Sequence, residues 1–404
     1  MADQKKIMII AHFCDYGPEN TNNRFNYIAS LCAQNQFDVE LVTSSFCHRS
    51  KMQRSAVRQN DCAYQTVLIA EPSYHRNISL KRLFYSHKKF AANLSDYLKK
   101  CDKPDLVYCA VPSLDAAEVA AQYCKQKGIP FIIDVQDLWP EAYKLVFHIP
   151  VLSDLLFRPM EKKANRVYGQ ADAVIAVSQT YVDRALSVNR KCKNGTVVYL
   201  GTEMSKFDAA ASAADSSSPN GEIVIAYCGT LGHSYDLRCV MDALSILKNR
   251  GYQKVKFLVM GDGPLRKEFE DYAAEKQICC EFTGYLKYED MVSRLIKCHI
   301  TVNPITKGSA GSIINKVGDY AMAGLPVINT QESMEYRNLV DEYRMGFNCE
   351  NGNADEMADR MAQLIDDPEL RQKMGQNARQ CGEQRFDRAC TYTRILDIIS
   401  GDVH

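Results

Sequence analysis

Short runs of apolar residues alternate with longer amphipathic stretches along the first half of the chain. The apolar runs predict strands at residues 7–11, 39–43, 66–69, 106–110, 131–134, 173–176 and 196–200. Most of the intervening segments are long enough for helices, as at 24–33 and 116–127. Strands that alternate with helices in this way indicate a parallel sheet covered by helices on both faces.

The alternation restarts after a stretch of small and polar residues, which predicts a linker at 208–222. Further strands are predicted beyond it, at 223–228, 256–260, 280–283, 300–303 and 326–329. The sequence thus predicts an N-terminal domain at 1–207 and a C-terminal domain from residue 223. We expect two doubly wound halves of this kind to hold a ligand between them, at the carboxyl ends of their strands.

The composition is that of a globular protein, with 46% hydrophobic and 24% charged residues among 404. No apolar run is long enough to predict a membrane-spanning helix. The sixteen cysteines lie scattered in apolar stretches without metal-binding spacing, which favours buried thiols in a reducing cytosol. Residues 1–205 hold 26 Lys and Arg against 20 Asp and Glu, a formal charge of +6. Because the formal net charge of the chain is zero, the remaining residues have a formal charge of −6.

The segment Lys307–Ile328 contains the most informative candidate binding residues. Ser312 is predicted to cap a helix over residues 313–323, and glycines before it allow close backbone approach. Free amides at the helix start, with Lys316 one turn in, would form an anion site that suits phosphates. The carboxylate of Asp319 lies on the same face and could accept two ribose hydroxyls. The alternative is an ordinary capped helix with a solvated Lys–Asp pair.

Two further strand ends suit the close approach of a ligand. The first is Gly229-Thr230, which follows the strand at 223–228. The second is Gly261-Asp-Gly263-Pro, after which Arg266 could reach another phosphate oxygen. Alone, each turn is a weak signal, because glycine and proline are common in turns.

Taken in order, these segments resemble the retaining GT-B glycosyltransferases of family four, also called group one. The resemblance includes Phe282-Thr-Gly-Tyr285 and the stretch Asp319-Tyr-Ala-Met-Ala-Gly-Leu-Pro-Val-Ile328, and it covers nearly the whole chain. It implies an α/β fold of two Rossmann-like, doubly wound parallel-sheet domains that face each other across a cleft. The C-terminal domain, 223–385, would bind the donor, and a helix within 386–404 would return to the N-terminal domain.

The resemblance also implies a set of site residues. The nucleotide-sugar donor would contact Gly17, Gly229, Thr230, Gly263, Arg266, Tyr285, Ser312, Lys316 and Asp319. The acceptor side would include Tyr16, Gly17, Asp137 and Glu141. Catalysis would depend on Lys316, Arg266 and Asp137, with no metal and no cofactor. For Asp137, the alternative is a helix N-cap.

The Asp137-Leu-Trp-Pro-Glu141 and Asn315-Lys316 features resemble a subgroup that builds bacterial surface polysaccharides such as capsule or O-antigen. It implies a cytoplasmic enzyme, without nucleic-acid partners, that transfers an N-acetylhexosamine or a deoxy-amino sugar. The acceptor would be a polyprenyl-diphosphate-linked or other glycan. Two alternatives stay open. One is a nucleotide-sugar 2-epimerase, which shares the architecture, and the other is an inactive relative that acts as an assembly partner, because the family usually has a glutamate where this chain has Gly311.

Segment 76–100 bears on membrane contact, since it holds seven Lys or Arg and one Asp. Its apolar residues fall at helical spacing. A basic amphipathic helix can lie on the anionic cytoplasmic face of the inner membrane. An ordinary helix that packs its apolar face into the protein has the same pattern.

Overall fold

The computed structural model describes residues 4–15, 23–54, 63–75, 81–146, 152–214, 221–309 and 312–401. The chain forms two compact units, the first of Met1–Val198 with Tyr392–His404 and the second of Tyr199–Thr391. The division falls upstream of the segment 208–222 that the sequence favours as a linker.

The first unit contains, within the described residues, one sheet of seven parallel strands in the order β5-β2-β1-β6-β7-β8-β9. The apolar runs form these strands because helices cover both faces of the sheet, as predicted. A short antiparallel hairpin of β3 and β4 was not predicted, because two-residue strands show no periodicity. The strands are β1 (Lys6–Ile10), β2 (Asp38–Ser44), β3 (Phe46–Cys47), β4 (Met52–Gln53), β5 (Gln65–Ile69), β6 (Leu106–Val111), β7 (Phe131–Val135), β8 (Ala173–Ala176) and β9 (Thr196–Val197).

The helices of the first unit connect these strands. They are α1 (Arg24–Gln34), α2 (His87–Leu98), α3 (Leu114–Lys127), α4 (Glu141–Val146), α5 (Leu152–Gln170) and α6 (Gln179–Leu186), and a π-helical turn (Arg82–Ser86) precedes α2. The side chain of Asn23 caps α1 by accepting from two backbone amides. Gly128 ends α3 in the left-handed conformation, at φ 63°.

The basic segment 76–100 includes α2, and its residues 76–80 lie outside the described part. The apolar side of α2 is buried, with Phe90 and Leu94 in the interior. Lys81 and Lys89 are exposed, whereas Arg82 is buried. The structure therefore packs this apolar face within the first unit, where it is closed to a membrane.

The second unit repeats the architecture with six parallel strands among its described residues, in the order β12-β11-β10-β13-β14-β15. Only β15 was not predicted, and it is three residues long. The elements are α7 (Met204–Ser212), β10 (Ile223–Cys228), α8 (Leu237–Asn249), β11 (Val255–Met260), α9 (Arg266–Glu275), β12 (Cys280–Gly284), α10 (Tyr288–Leu295), β13 (Ile300–Asn303), α11 (Lys316–Met322), β14 (Val327–Asn329), α12 (Met334–Tyr343), β15 (Gly346–Asn348), α13 (Ala354–Asp366), α14 (Pro368–Cys381) and α15 (Arg388–Thr391), with a π-helical turn at Gly382–Phe386. The two parallel sheets confirm the predicted fold class.

The C-terminal helix α16 (Thr393–Ser400) lies in the first unit. Its residues Ile395 and Ile399, together with Tyr392, are part of the hydrophobic core beside β1 and β2. Residues 386–391, which the sequence assigns to the same returning segment, belong to the second unit.

A buried ion pair holds the first unit's sheet to this C-terminal segment. The Arg24 guanidinium donates to the Asp134 carboxylate at 2.7 Å and to the Tyr392 hydroxyl at 3.1 Å. The Tyr108 hydroxyl donates to the same carboxylate at 2.6 Å, and the Gln136 amide donates at 2.5 Å. The pair thus has the additional hydrogen bonds that a charge needs when it is removed from water.

We predict that Asp134→Asn destabilises the protein by about 3–5 kcal/mol, because it leaves the Arg24 guanidinium buried without its counter-charge. Urea unfolding measures this loss. Asp96→Asn is the matched control in the same unit, since it removes a carboxylate from the exposed Lys99–Asp96 pair. The control should unfold like the wild type. Equal stability of the two variants would show that the buried pair contributes nothing.

Candidate functional site

A cavity of about 380 Å³ opens in the second unit at the carboxyl ends of β10 and β11. The order of the sheet reverses at β10, between β11 and β13, and ligands of doubly wound sheets bind at such positions. The cavity is lined by Cys228, Gly229, Thr230, Met260, Gly261, Asp262, Tyr285, Leu286, Met291, Asn315, Lys316 and Asp319.

The wall of the cavity requires glycines, because the two strand ends approach each other closely. A Cβ atom at Gly261 would lie 1.8 Å from the Gly229 carbonyl oxygen, and one at Gly263 would lie 2.4 Å from that of Leu231. Gly229 and Gly261 also have φ values of 141° and 147°, which other residues rarely adopt. Backbone packing therefore explains why position 263 is a glycine. For Gly229, both the packing and the position in the cavity wall explain the absence of a side chain.

Lys316, the first residue of α11, is buried and lines the cavity. Its Nζ atom has no hydrogen-bond partner among the described residues. The atom lies 3.8 Å from the ring centre of Tyr227 and 3.9 Å from that of Tyr235. Burial lowers the pKa of Lys316 well below its ordinary value, since water no longer solvates the ammonium group.

Asp319 lies one turn along α11 and lines the same cavity. Its Oδ1 atom accepts hydrogen bonds from the hydroxyls of Thr202 and Tyr288, each at 3.0 Å. Burial raises the pKa of Asp319 to about 6, although both hydroxyls oppose this by stabilising the charged form. The carboxylate thus titrates closer to neutrality than an exposed aspartate.

The helix that carries Lys316 begins later than predicted. It starts at Lys316 with Asn315 at the N-cap position, and neither Asn315 nor Ser312 caps it through a side chain. The Ser312 carbonyl instead accepts from the Gln331 side chain at 2.6 Å. The prediction that Ser312 is the N-cap was therefore wrong, because the chain before Lys316 is an irregular loop. Gly311 lies outside the described residues.

The remaining donor-side residues differ in their surroundings. The Arg266 guanidinium pairs with Glu270, one helical turn away at 2.8 Å, and lies 3.5 Å from Asp262. These partners raise the pKa of Arg266, and the largest cause is the hydrogen bond that its guanidinium donates to Glu270. Tyr285 is 73% exposed and lines the cavity, as does the exposed Thr230.

On the acceptor side, Tyr16 and Gly17 lie outside the described residues. The Asp137 carboxylate accepts from the Leu138 amide at 2.9 Å and from the Trp139 indole at 3.1 Å. Burial raises the pKa of Asp137. Glu141 accepts from the Arg184 guanidinium at 2.6 Å, and its second oxygen is buried without a partner among the described residues.

A buried polar cluster beside β1, β2 and β5 did not appear in the sequence analysis. The Glu71 carboxylate accepts from Ser44 and Ser86, each at 2.5 Å, and lies 2.8 Å from His12 Nε2. The other nitrogen of His12 lies 2.6 Å from the Ser113 hydroxyl. Burial raises the pKa of Glu71, but His12 and the hydroxyls outweigh this and lower it. Single residues scattered over 100 positions carry no local pattern that predicts this cluster.

Sequence reasoning also missed residues that contact Lys316 and Asp319. Tyr227 lies in a stretch that was singled out for its glycines, and Tyr235 follows in the next loop. Thr202 and Tyr288 lie 117 and 31 residues from Asp319, so only tertiary folding brings them to it. The one available signal was an aromatic residue near a strand end, two positions before a glycine, and it applied to Tyr227.

Over the described ranges, no cluster of three His, Cys, Asp or Glu side chains could hold a metal ion. Nor does any described helix have the length and apolar character to cross a membrane.

Comparison with protein families matches both halves of the chain. Residues 22–206 match the family described as Glycosyltransferase Family 4, and residues 208–381 match Glycosyl transferases group 1. The two matches meet near residue 207, so together they span most of the chain.

Comparison with individual proteins supports the same assignment. The chain is 24% identical over 157 residues to alpha-D-kanosaminyltransferase of Streptomyces kanamyceticus. The aligned region covers 38% of this chain and 39% of that protein. Anabaena HepE in complex with UDP superposes with a TM-score of 0.70 at 15% identity, over 98% of this chain and 100% of HepE. WaaG, a glycosyltransferase involved in lipopolysaccharide biosynthesis, gives a TM-score of 0.68 at 14% identity, over 98% and 100%. These structural likenesses show the GT-B fold.

Proposed function

Because this chain belongs to the group 1 glycosyltransferases of the GT-B fold, we propose that it transfers a sugar from a nucleoside-diphosphate sugar held in the cavity of its second unit. The observation that carries this proposal is the buried Lys316 ammonium, which lines the cavity without a carboxylate partner among the described residues. A donor diphosphate would supply the missing negative charge. HepE, a protein of the same fold, binds UDP.

The cavity offers a group for each part of a nucleotide. Lys316 would bind the diphosphate, and the Asp319 carboxylate would accept the ribose hydroxyls. Tyr285 is exposed at the cavity and could stack on a base, because every base has a π-face. Arg266 would act from a greater distance, since Asp262 and Glu270 already compensate its charge.

The proposed reaction retains the configuration of the sugar. The bond between the anomeric carbon and the diphosphate oxygen breaks, and its electron pair stays on the phosphate. The acceptor hydroxyl oxygen forms the new bond on the same face, and its proton passes to the departing phosphate. Lys316 would stabilise the charge that grows on the leaving group.

The sugar and the acceptor are proposed from chemistry and relatives together. Kanosamine is an amino sugar, and a relative that transfers it supports an N-acetylhexosamine or deoxy-amino sugar here. We propose that the first unit binds a lipid-linked or glycan acceptor in bacterial surface polysaccharide synthesis, which the role of WaaG supports. Asp137 would orient a hydroxyl, since its carboxylate is fixed by the Trp139 indole.

We expect Lys316→Ala to lower turnover about a hundred- to thousandfold, because removal of one electrostatic stabiliser costs about 2.7–4 kcal/mol of the barrier. The melting temperature should change little, since Nζ has no hydrogen-bond partner to lose. Lys267→Ala is the matched control, because it removes a lysine from an exposed pair in the same unit. The measurement is product formation from UDP-, GDP- and dTDP-sugars with a lipid-linked acceptor. Wild-type turnover in Lys316→Ala would refute the donor site.

We expect Asp319→Asn to weaken donor binding more than it slows the chemical step. Because the pKa of Asp319 is about 6, its carboxylate becomes protonated as the pH falls from 7 to 5. UDP affinity should therefore decrease over this range by about tenfold more in the wild type than in Asp319→Asn, since a hydrogen bond to a charged group contributes about 1.5–3 kcal/mol. Parallel titrations with 2′-deoxy-UDP provide the control. Equal pH dependence of the wild type and the variant would exclude a contact with ribose.

The apolar face of α2 is packed inside the first unit. We propose that exposed lysines of segment 76–100 attract anionic lipid instead. Lys81→Glu with Lys89→Glu should weaken binding to phosphatidylglycerol vesicles by about 2 kcal/mol or more, at about 1 kcal/mol per lysine. The matched control reverses Lys125 and Lys127, at the end of α3. Equal vesicle binding by both double variants would exclude this surface.

A further inference from the structure

The Lys316 ammonium is enclosed by two aromatic rings. The centres of the Tyr227 and Tyr235 rings lie 3.8 and 3.9 Å from Nζ, well within the range of about 6 Å in which a ring face attracts a cation. The rings are 5.7 Å apart and inclined at 69°, so they flank the ammonium as two walls of a cage.

Rigid backbone holds both rings in place. Tyr227 lies in β10, is fully buried, and donates from its hydroxyl to the Thr230 carbonyl at 2.8 Å. Tyr235 lies in the following loop, where its amide donates to the Gly232 carbonyl at 3.1 Å and its backbone bridges to Ile305. The position of the ammonium therefore does not depend on the flexible lysine chain alone.

The cage opens towards the cavity at Gly229. A Cβ atom there would lie 3.1 Å from Nζ, so the absence of a side chain leaves this approach clear. We propose that Tyr227 and Tyr235 are positioning residues that hold the Lys316 ammonium for the diphosphate of the donor. This inference rests on the proposed donor site.

Aromatic rings hold the ammonium group without neutralising its charge, as a carboxylate would. A carboxylate would fix the lysine but would also neutralise it, and a diphosphate would then have to displace that partner. An aromatic face attracts the ammonium through its quadrupole and carries no net charge. The charge of Lys316 thus remains available to an anion, in contrast to that of Arg266, which two carboxylates compensate.

The cage also predicts how nucleotide binding depends on pH. The titratable groups around Nζ are Tyr227, Tyr235, Cys228 and Asp319, and Asp262 lines the same cavity. Burial raises the pKa of both phenols and of the Cys228 thiol, and the pKa of Asp319 is about 6. The phenols and the thiol therefore stay neutral at neutral pH, whereas burial lowers the pKa of Lys316 well below its ordinary value.

A bound diphosphate favours the charged lysine, so binding takes up a proton wherever the free lysine is neutral. Affinity for UDP should accordingly fall as the pH rises through the pKa of Lys316. Without a ring, the ammonium loses part of its stabilisation, so the pKa of Lys316 decreases further and this fall begins at a lower pH. A merely structural defect would instead weaken binding equally at every pH.

Tyr235→Leu tests the inference, with Tyr235→Phe as the variant that keeps the ring. Isothermal titration with UDP, GDP and dTDP over a series of pH values should give roughly tenfold weaker binding for the leucine variant, with a ratio to wild type that grows as the pH rises through the pKa of Lys316. Tyr235→Phe should restore most of the affinity. Tyr272→Leu is the matched control, because its ring also contacts a lysine, Lys276 at 5.1 Å, away from the cavity.

Three outcomes are distinguishable in the same titrations. Weak binding by Tyr235→Leu with rescue by Tyr235→Phe supports the cage. Wild-type binding by Tyr235→Leu, or a loss that is the same at every pH, overturns the cage while Lys316→Ala still tests the donor site. Wild-type binding by Lys316→Ala would refute the donor site itself.

Discussion

The cavity of the second unit contains a buried ammonium group, that of Lys316, which no described carboxylate neutralises. Burial of an unpaired charge is among the costliest arrangements in a protein, and it persists only where the surroundings stabilise it or a ligand completes it. In this protein two tyrosine rings lie against the ammonium group, and we propose that a donor anion supplies the remaining stabilisation. Gly229 and Asp319 line the same cavity beside that charge.

The first unit shows the opposite treatment of buried charge. Arg24 and Asp134 form a pair whose remaining hydrogen-bonding capacity is met by Tyr108, Gln136 and Tyr392. Glu71 is likewise surrounded by donors. Such networks fix the relative positions of strands and helices, because removal of any member leaves a polar group buried and unpaired. The Lys316 amino group, by contrast, has no hydrogen-bond partner among the described residues, and this contrast supports the proposal that it binds a ligand.

Backbone packing limits which residues can form the cavity. The ends of β10 and β11 approach so closely that side chains are excluded at Gly261 and Gly263. The backbone therefore forms one wall, and the polar side chains come from α11 and from the loops after the strands. Tyr285 lies exposed at the same cavity, where we propose that it contacts the base of the nucleotide.

The sequence by itself determined the two parallel sheets, because strands buried on both faces appear in the sequence as continuous apolar runs. Such runs can be recognised without knowledge of distant residues. It also predicted that Lys316 and Asp319 lie at one site, since a charged pair on a helix after glycines is a local pattern, and both residues line the cavity. It misplaced the start of that helix, because Ser312 resembles an N-cap and only tertiary contacts direct its carbonyl to Gln331. Tertiary structure alone decided that Lys316 is caged by Tyr227 and Tyr235, that Arg266 is paired, and that the apolar face of α2 is buried. The charge state of a side chain depends on its burial and on its partners, which are up to about a hundred residues away in the sequence. No local sequence pattern predicts either of these.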